Sequence, residues 1–162
     1  MAGLHTSFWR LLRRIGFGRR AGSRRAPKPR AAAVVIDGDQ VLVIKRHKRG
    51  RHYAVLPGGG IEDGETARAA ALRELHVETT LIAEIDRLLW TGRHNNRPAW
   101  YFLMTAVRGH AELSGPEALA NRPDNSFELR WITADQFTEL GLHPPDIRDP
   151  LAALLAGRPD PV

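Results

Sequence analysis

The stretch GGGIEDGETARAAALRELHVETTL, residues 58–81, decides the reading of this chain. Three consecutive glycines, Gly58, Gly59 and Gly60, open it and permit backbone conformations closed to other residues. Residues 66–78 form the most helical segment of the sequence, almost wholly Ala, Arg, Leu and Glu, with Thr66 as the N-cap candidate. On such a helix Glu74 and Glu78 lie four residues apart, so their carboxylates share one face with Cβ atoms about 5–6 Å apart. Two carboxylates so placed repel each other unless a cation sits between them, and an oxygen-only site suits Mg2+ or Mn2+. Arg73 and Glu65 are spaced to pair across the helix start and orient the cluster, while the glycine run can aim a bare carbonyl, that of Gly58, at the metal. In isolation two glutamates at this spacing describe an exposed helix with ordinary surface pairs, so the surroundings must decide.

Working outward, residues 31–36 and 41–45 read as β-strands around the turn Asp37-Gly38-Asp39. A loop carrying Arg46, Lys48, Arg49 and Arg51 leads to a short strand over residues 53–56, which ends at Pro57. Beyond the helix, residues 81–91 and 99–107 look like a long antiparallel pair around the loop 92–98. A Gly- and Pro-rich excursion over 113–126 precedes a strand at 127–132, and two helices are expected at 134–140 and 145–156. Mixed strands and helices without regular βαβ alternation indicate an α+β or sandwich arrangement.

The chain has 162 residues, 43% of them hydrophobic, and no Cys. This is the size of one globular domain with a sizeable core. Without cysteine there are no disulfides, thiolate zinc sites or cysteine nucleophiles, and a metal must be held by oxygen or imidazole. No apolar run approaches the roughly 18–20 residues of a membrane span. The first hydrophobic stretch, residues 8–17, is interrupted by Arg10, Arg13 and Arg14, so a cytoplasmic protein is expected. The net charge of +6 divides unevenly: residues 1–30 hold nine bases and no acid, and the remainder holds 15 bases and 18 acids. Residues 1–29 thus read as a basic arm, with a short amphipathic helix over 7–17 and a linker over 18–30. The arm is suited to nucleic acid or an anionic membrane, and equally to a solubilising role. Residues 158–162 form a short tail.

Residues 58–81 resemble the Nudix box of the Nudix hydrolases: G, five residues, E, seven residues, REU, one residue, EE, one residue, GU, with U aliphatic. Gly59, Glu65, Arg73, Glu74, Leu75, Glu78 and Leu81 fall in register with that pattern. The resemblance implies an α+β fold, a Nudix-like α/β/α sandwich with a mixed sheet, over residues 30–157. Two positions depart from it: Val77 replaces the first glutamate of the EE pair, and Thr80 replaces the glycine. The family's usual core metal ligands are retained as Glu74 and Glu78. A glutamate at position 77 would be expected to add charge to the same helix face. At Thr80, β-branching disfavours the left-handed geometry that glycine supplies after a helix.

The implied activity is Mg2+-dependent hydrolysis of a nucleoside diphosphate linked to another moiety, on a nucleotide or dinucleotide substrate. The metal would sit on Glu74, Glu78 and Gly58, and a polarised water would attack phosphorus. Arg46, Lys48 and Arg51, with Arg49, are candidates for phosphate contact. Glu74 or Glu117, from the turn Gly115-Pro116-Glu117, can remove the water's proton, and Glu117 can instead serve as an extra ligand. Trp90, Trp100 and Tyr101 can stack a base or pack in the core; Asn95 and Asn96 can read a base edge or form a turn. Two other functions stand beside this one: a catalytically weak nucleotide-binding or regulatory module, and an RNA-end pyrophosphohydrolase that uses the basic arm.

Overall fold

The computed structural model describes residues 27–157. The arm's expected helix, most of its linker and the tail lie outside the described residues. The first described contacts precede residue 30: Lys28 Nζ lies 2.5 Å from Glu62 Oε2, and the Pro29 carbonyl accepts the Ile61 N–H at 2.8 Å.

The strands divide between two mixed sheets. One has the order β5-β1-β7-β6, formed by β1 (Arg30–Val34), β5 (Gly58–Gly60), β6 (Ile82–His94) and β7 (Arg97–Arg108). Strands β1 and β7 run parallel, and the other pairs in this sheet are antiparallel. The other has the order β2-β3-β4-β9, with β2 (Ile36–Asp37), β3 (Gln40–Lys48), β4 (Arg51–Val55) and β9 (Leu142–His143); β8 (Asn125–Ile132) pairs with β3. Among the described residues there are three α-helices: α1 (Ala67–Thr79), α2 (Gly115–Leu119) and α3 (Arg148–Leu155).

Strand β1 is the hinge of the packing because both its faces are buried. Ala31, Ala33 and Val35 meet Ala70, Ala71 and Leu75 of α1, and the small side chains let helix and strand approach closely. Ala32 and Val34 point the other way, into a core shared with Val41, Val43, Leu56 and Leu151. The layers are therefore helix, sheets and helix, the expected α+β sandwich, with the mixed strand pairing divided between two sheets.

Four local expectations need correction. The basic residues 46–51 are not in a loop: β3 continues through Arg46 and Lys48, β4 starts at Arg51, and Arg49-Gly50 makes the turn, both with positive φ. Strands β6 and β7 likewise continue to a two-residue turn, Asn95-Asn96, whose φ values of 49° and 62° are those of a type I′ hairpin. Residues 134–140 form only a 3-10 turn, Ala134–Gln136, because Gly141 reverses the chain at φ 64° and Leu142 is recruited beside β4. The excursion after β7 contains α2, held to the end of α1 by the Ser114 N–H to Glu78 carbonyl bond at 3.0 Å.

Helix α1 starts as its sequence dictates, with Thr66 Oγ1 accepting the Ala69 N–H at 3.1 Å. Its end is less usual: Thr80 takes the left-handed geometry, φ 62° and ψ −6°, that its β-branch resists. Its hydroxyl donates to the His110 carbonyl at 2.8 Å and holds it there. A non-glycine residue in this region costs about 1–2 kcal/mol, and glycine's extra chain entropy offsets roughly 0.5–1 kcal/mol of that. Thr80→Gly is therefore expected to stabilise by about 0.5 kcal/mol, raising Tm by about 1–2 °C in thermal unfolding. A lower Tm would show that the hydroxyl bond to His110 outweighs the backbone strain.

Candidate active site

The site forms where β5 runs beneath the last turns of α1. The Gly58 N–H donates to Glu78 Oε2 at 2.8 Å, and the Glu78 side chain is buried, 6% exposed. Burial, and next the negative charge of Glu117, push the Glu78 carboxyl up to about 8; Arg30 and the Gly58 N–H oppose the shift, and Glu74 adds to it. Glu74 lies against the backbone one residue further on. A Cβ on Gly59 would fall 2.4 Å from the Glu74 Cδ and Oε1 atoms. Gly58 is required for a different reason: at φ 155° its missing Cβ would lie 2.3 Å from the Ala31 carbonyl oxygen on β1.

Arg73 and Glu65 stand behind this pair and do not line the cleft in front of it. The guanidinium grips Glu65 with two bonds, Nε to Oε1 at 2.7 Å and Nη2 to Oε2 at 2.8 Å. It also donates to Glu74 Oε1 at 2.5 Å and to the Gly60 carbonyl at 3.1 Å. The hydrogen bonds donated by Arg73 hold Glu65 below the usual carboxylate range, while donating to Glu65, and next to Glu74, holds Arg73 above its ordinary value. Their geometry is that of orienting groups.

Glu117 reaches the same cleft from α2, and burial followed by the charge of Glu74 raises its pKa. Val77 explains how the segment is seated. The Ser114 hydroxyl donates to the Val77 carbonyl at 2.5 Å, and a Cβ on Gly115 would lie 2.9 Å from Val77 Cγ1. Val77 does not line the cleft. Its side chain packs under the turn that delivers Glu117, which corrects the expectation that position 77 faces the cation.

The cleft, about 700 Å3, has these carboxylates on one side and the β3–β4 hairpin on another, where Arg46, Lys48, Arg49 and Arg51 contribute to its lining. The Arg46 guanidinium lies 3.8 Å from the Phe127 ring centroid. Gly58 and Gly59 are also in the lining, although the hydrogen bond seen at Gly58 uses its N–H. Of the residues considered for base contact, Asn95 lines the cleft, whereas Asn96 accepts from Arg93 within the hairpin turn. Trp90 and Tyr101 stack on each other 5.7 Å apart in the inter-sheet core, and Trp100 packs on the α1 side.

Among the cleft residues not identified from the sequence are Arg30, Arg97, His94 and His143. Arg30 was counted with the basic run, yet it opens β1 half-buried, and burial lowers its pKa. The alternation of β6 and β7 was the available signal for His94 and Arg97, and it does not tell which hairpin end meets the site. Among the described residues, no three His, Cys, Asp or Glu converge closely enough to form a metal cluster. The donor set nevertheless fits a hard cation: two carboxylates, one buried against like charges with a backbone N–H partner, beside Gly58 and Gly59 of β5 in the cleft lining. Among the described residues no helix is long and apolar enough to cross a membrane.

The NUDIX domain model matches residues 26–154. An RNA pyrophosphohydrolase of Pelagibacter ubique is 29% identical over 125 residues, which cover 66% of this chain and 77% of the relative. The RNA pyrophosphohydrolase of Roseobacter denitrificans is 29% identical over 136 residues, 71% of this chain and 82% of the relative. In fold, the chain is similar to the crystal structure of a MutT NUDIX hydrolase from Burkholderia pseudomallei, with TM-score 0.61 and 24% identity over 76% of this chain and 96% of that one. The solution structure of the E. coli ORF135 protein gives TM-score 0.63 and 20% identity over 82% and 95% of the two chains.

The two glycines under the carboxylates should respond differently to a methyl group. At Gly58 the clash is with rigid backbone, so Gly58→Ala is expected to cost about 3 kcal/mol or more in denaturant unfolding. At Gly59 the obstacle is the end of a flexible side chain, so Gly59→Ala should cost about 1 kcal/mol and shift Glu74 away from Arg73. Equal losses at both positions would contradict the placement of Glu74 against β5.

Proposed function

The chain belongs to the Nudix hydrolase family, and from that premise we propose that it is a Mg2+-dependent pyrophosphohydrolase acting on a nucleoside diphosphate linked to another moiety. The observation that carries this reading is the buried Glu78 carboxylate, set with Glu74 and Glu117 at one cleft whose facing hairpin is basic. Glu74 and Glu78, with the Gly58 carbonyl beside them, would hold Mg2+ or Mn2+. Such an ion neutralises phosphate oxygens and lowers the pKa of bound water.

The chain's own groups divide the remaining work. Arg46, Lys48 and Arg51, with Arg49, bind the phosphates. Arg46 is steadied over Phe127 and by Asn125 Oδ1 at 3.4 Å. Arg73 and Glu65 fix the Glu74 rotamer, so they are positioning residues. Glu117 is the better candidate for the proton acceptor. Glu74 is engaged by Arg73, whereas Glu117 makes no ion pair among the described residues and its pKa is raised by burial.

A second form of this reading takes an RNA 5′ end as the substrate. It is favoured by the activity named for the Pelagibacter and Roseobacter relatives and by the exposed cations Lys48, Arg49 and Arg51 at the cleft mouth. The alternative of a catalytically weak binding module rested on Val77 and Thr80. Thr80 keeps the glycine-like helix end and Val77 seats the Glu117 segment, and both observations favour an enzyme.

Glu78→Gln keeps the size and the Gly58 bond but removes the charge. It is expected to leave the metal-free Tm nearly unchanged, to abolish the rise in Tm on adding Mg2+ or Mn2+, and to lower turnover at least 100-fold in a phosphate-release screen over nucleotides and 5′-triphosphate RNA. Turnover within twofold of wild type would remove Glu78 from the site. Val77→Glu should lower both Tm and turnover, because the longer charged side chain displaces the turn bearing Glu117. A gain in metal affinity from that variant would show that position 77 faces the cation after all.

A further inference from the structure

The end of the cleft away from the β3–β4 hairpin has a composition that the reaction as described does not require. His94 lies on the β6–β7 hairpin of one sheet, and His143 lies on β9 of the other. Their rings meet edge to face with centroids 5.0 Å apart, and His143 Nε2 lies 3.0 Å from Asn95 Oδ1. That contact ties the two sheets together across this end of the cleft.

Arg30 and Arg97 line the same region. Arg30 Nη2 donates to the Leu56 carbonyl at 3.1 Å, and Arg97 Nη1 to the Lys28 carbonyl at 3.4 Å. Neither guanidinium has a carboxylate within ion-pair distance among the described residues, although Arg30 lies near enough to feel the charges of Glu78 and Glu74. Their charge is felt nearby. Burial first, then Arg30, His143 and Arg97, push His94 down to about 3. Burial also lowers His143, against the opposing pull of Asp146. The Tyr101 hydroxyl, which also senses Arg30, is buried without a hydrogen-bond partner. Two guanidiniums gathered beside two imidazole rings at one cleft form a receptor for an anion. The opposite mouth is different, since Lys48, Arg49, Arg51 and His52 are exposed there and leave room for an extended group.

Resting on the pyrophosphohydrolase reading, we propose that Arg30, Arg97, His94 and His143 form a subsite for the terminal phosphate of the substrate. One end of the cleft is bridged, so the phosphate chain ends there as a free phosphomonoester and its esterified end leaves over the hairpin. The site thus selects nucleotides or nucleic acids ending in a 5′-polyphosphate over compounds capped at both ends, such as dinucleoside polyphosphates. The hydrolytic step is unchanged; the subsite sets which phosphate chains enter.

The test is calorimetric titration of the metal-free full chain with inorganic tripolyphosphate and with a dinucleoside tetraphosphate, in wild type, Arg97→Gln and Arg97→Lys. Arg97 lies partly exposed at a hairpin end, and thermal unfolding confirms that each variant is folded. The expected result is tripolyphosphate binding weakened at least tenfold by Arg97→Gln and partly restored by Arg97→Lys, with the capped compound affected less than twofold. Equal weakening of both ligands, or no weakening of either, would overturn the subsite. These titrations need no turnover, so an inactive protein that still shows the Arg97-dependent difference refutes the hydrolase reading and keeps the subsite. A nucleoside triphosphate and a 5′-triphosphate oligonucleotide titrated in the same way distinguish the source of the phosphate. Arg97-independent binding of both would again overturn the proposal.

Discussion

A carboxylate buried with one backbone N–H for a partner and other carboxylates for neighbours does not stay ionised unless a cation joins it. Glu78 is in that position, and much of the structure serves to keep it there. The Gly58 N–H can reach Glu78 only because β5 presses against β1 at a point where a side chain would strike the Ala31 carbonyl. Helix α1 can bring both glutamates to β5 only because the β1 face beneath it is made of small residues, Ala31 and Ala33, packed against Ala70 and Ala71. Gly59 leaves the space in which Glu74 lies, and Arg73, locked to Glu65, keeps it there. The resting protein thus favours a protonated Glu78, and binding a divalent cation would displace that proton.

The remaining walls of the cleft come from chain segments far apart in sequence. The β3–β4 hairpin adds cations on one side, the α2 turn brings Glu117 over Val77, and the β6–β7 hairpin and β9 meet across the far end. Glu74 and Glu78 are carried on helix α1, whereas Lys48, Arg49, Arg51 and Arg97 are carried on hairpin ends. Such a division suits a site whose metal geometry is fixed and whose substrate contacts vary.

The box helix was legible because its information is local: capping, helix propensity and i, i+4 spacing lie within 24 consecutive residues. Glu65, Arg73, Glu74 and Glu78 could therefore be placed relative to one another before any tertiary contact was known. Thr80 shows where local reasoning weakens, since a long-range bond to His110 holds it in a geometry that its side chain disfavours. Val77 shows it failing, because what covers that residue is a turn 38 residues further along, at Gly115. The role of Arg30 was hidden for the same reason: in sequence it ends a basic run at the domain's first residue, and only the pairing of β1 with β5 and β7 brings it into the cleft. The sheet pairing also places His94 near His143, 49 residues away, which no spacing rule anticipates.

The central claim is that Glu74 and Glu78 are held in a shared cation site, and the most direct measurement is the anomalous diffraction of crystals grown with Mn2+. The expected result is a manganese peak bound by Glu74 and Glu78 beside Gly58, with the Glu78 carboxylate turned from the Gly58 N–H or shared between it and the metal. Manganese bound elsewhere, with Glu78 still paired to Gly58 alone, would contradict it.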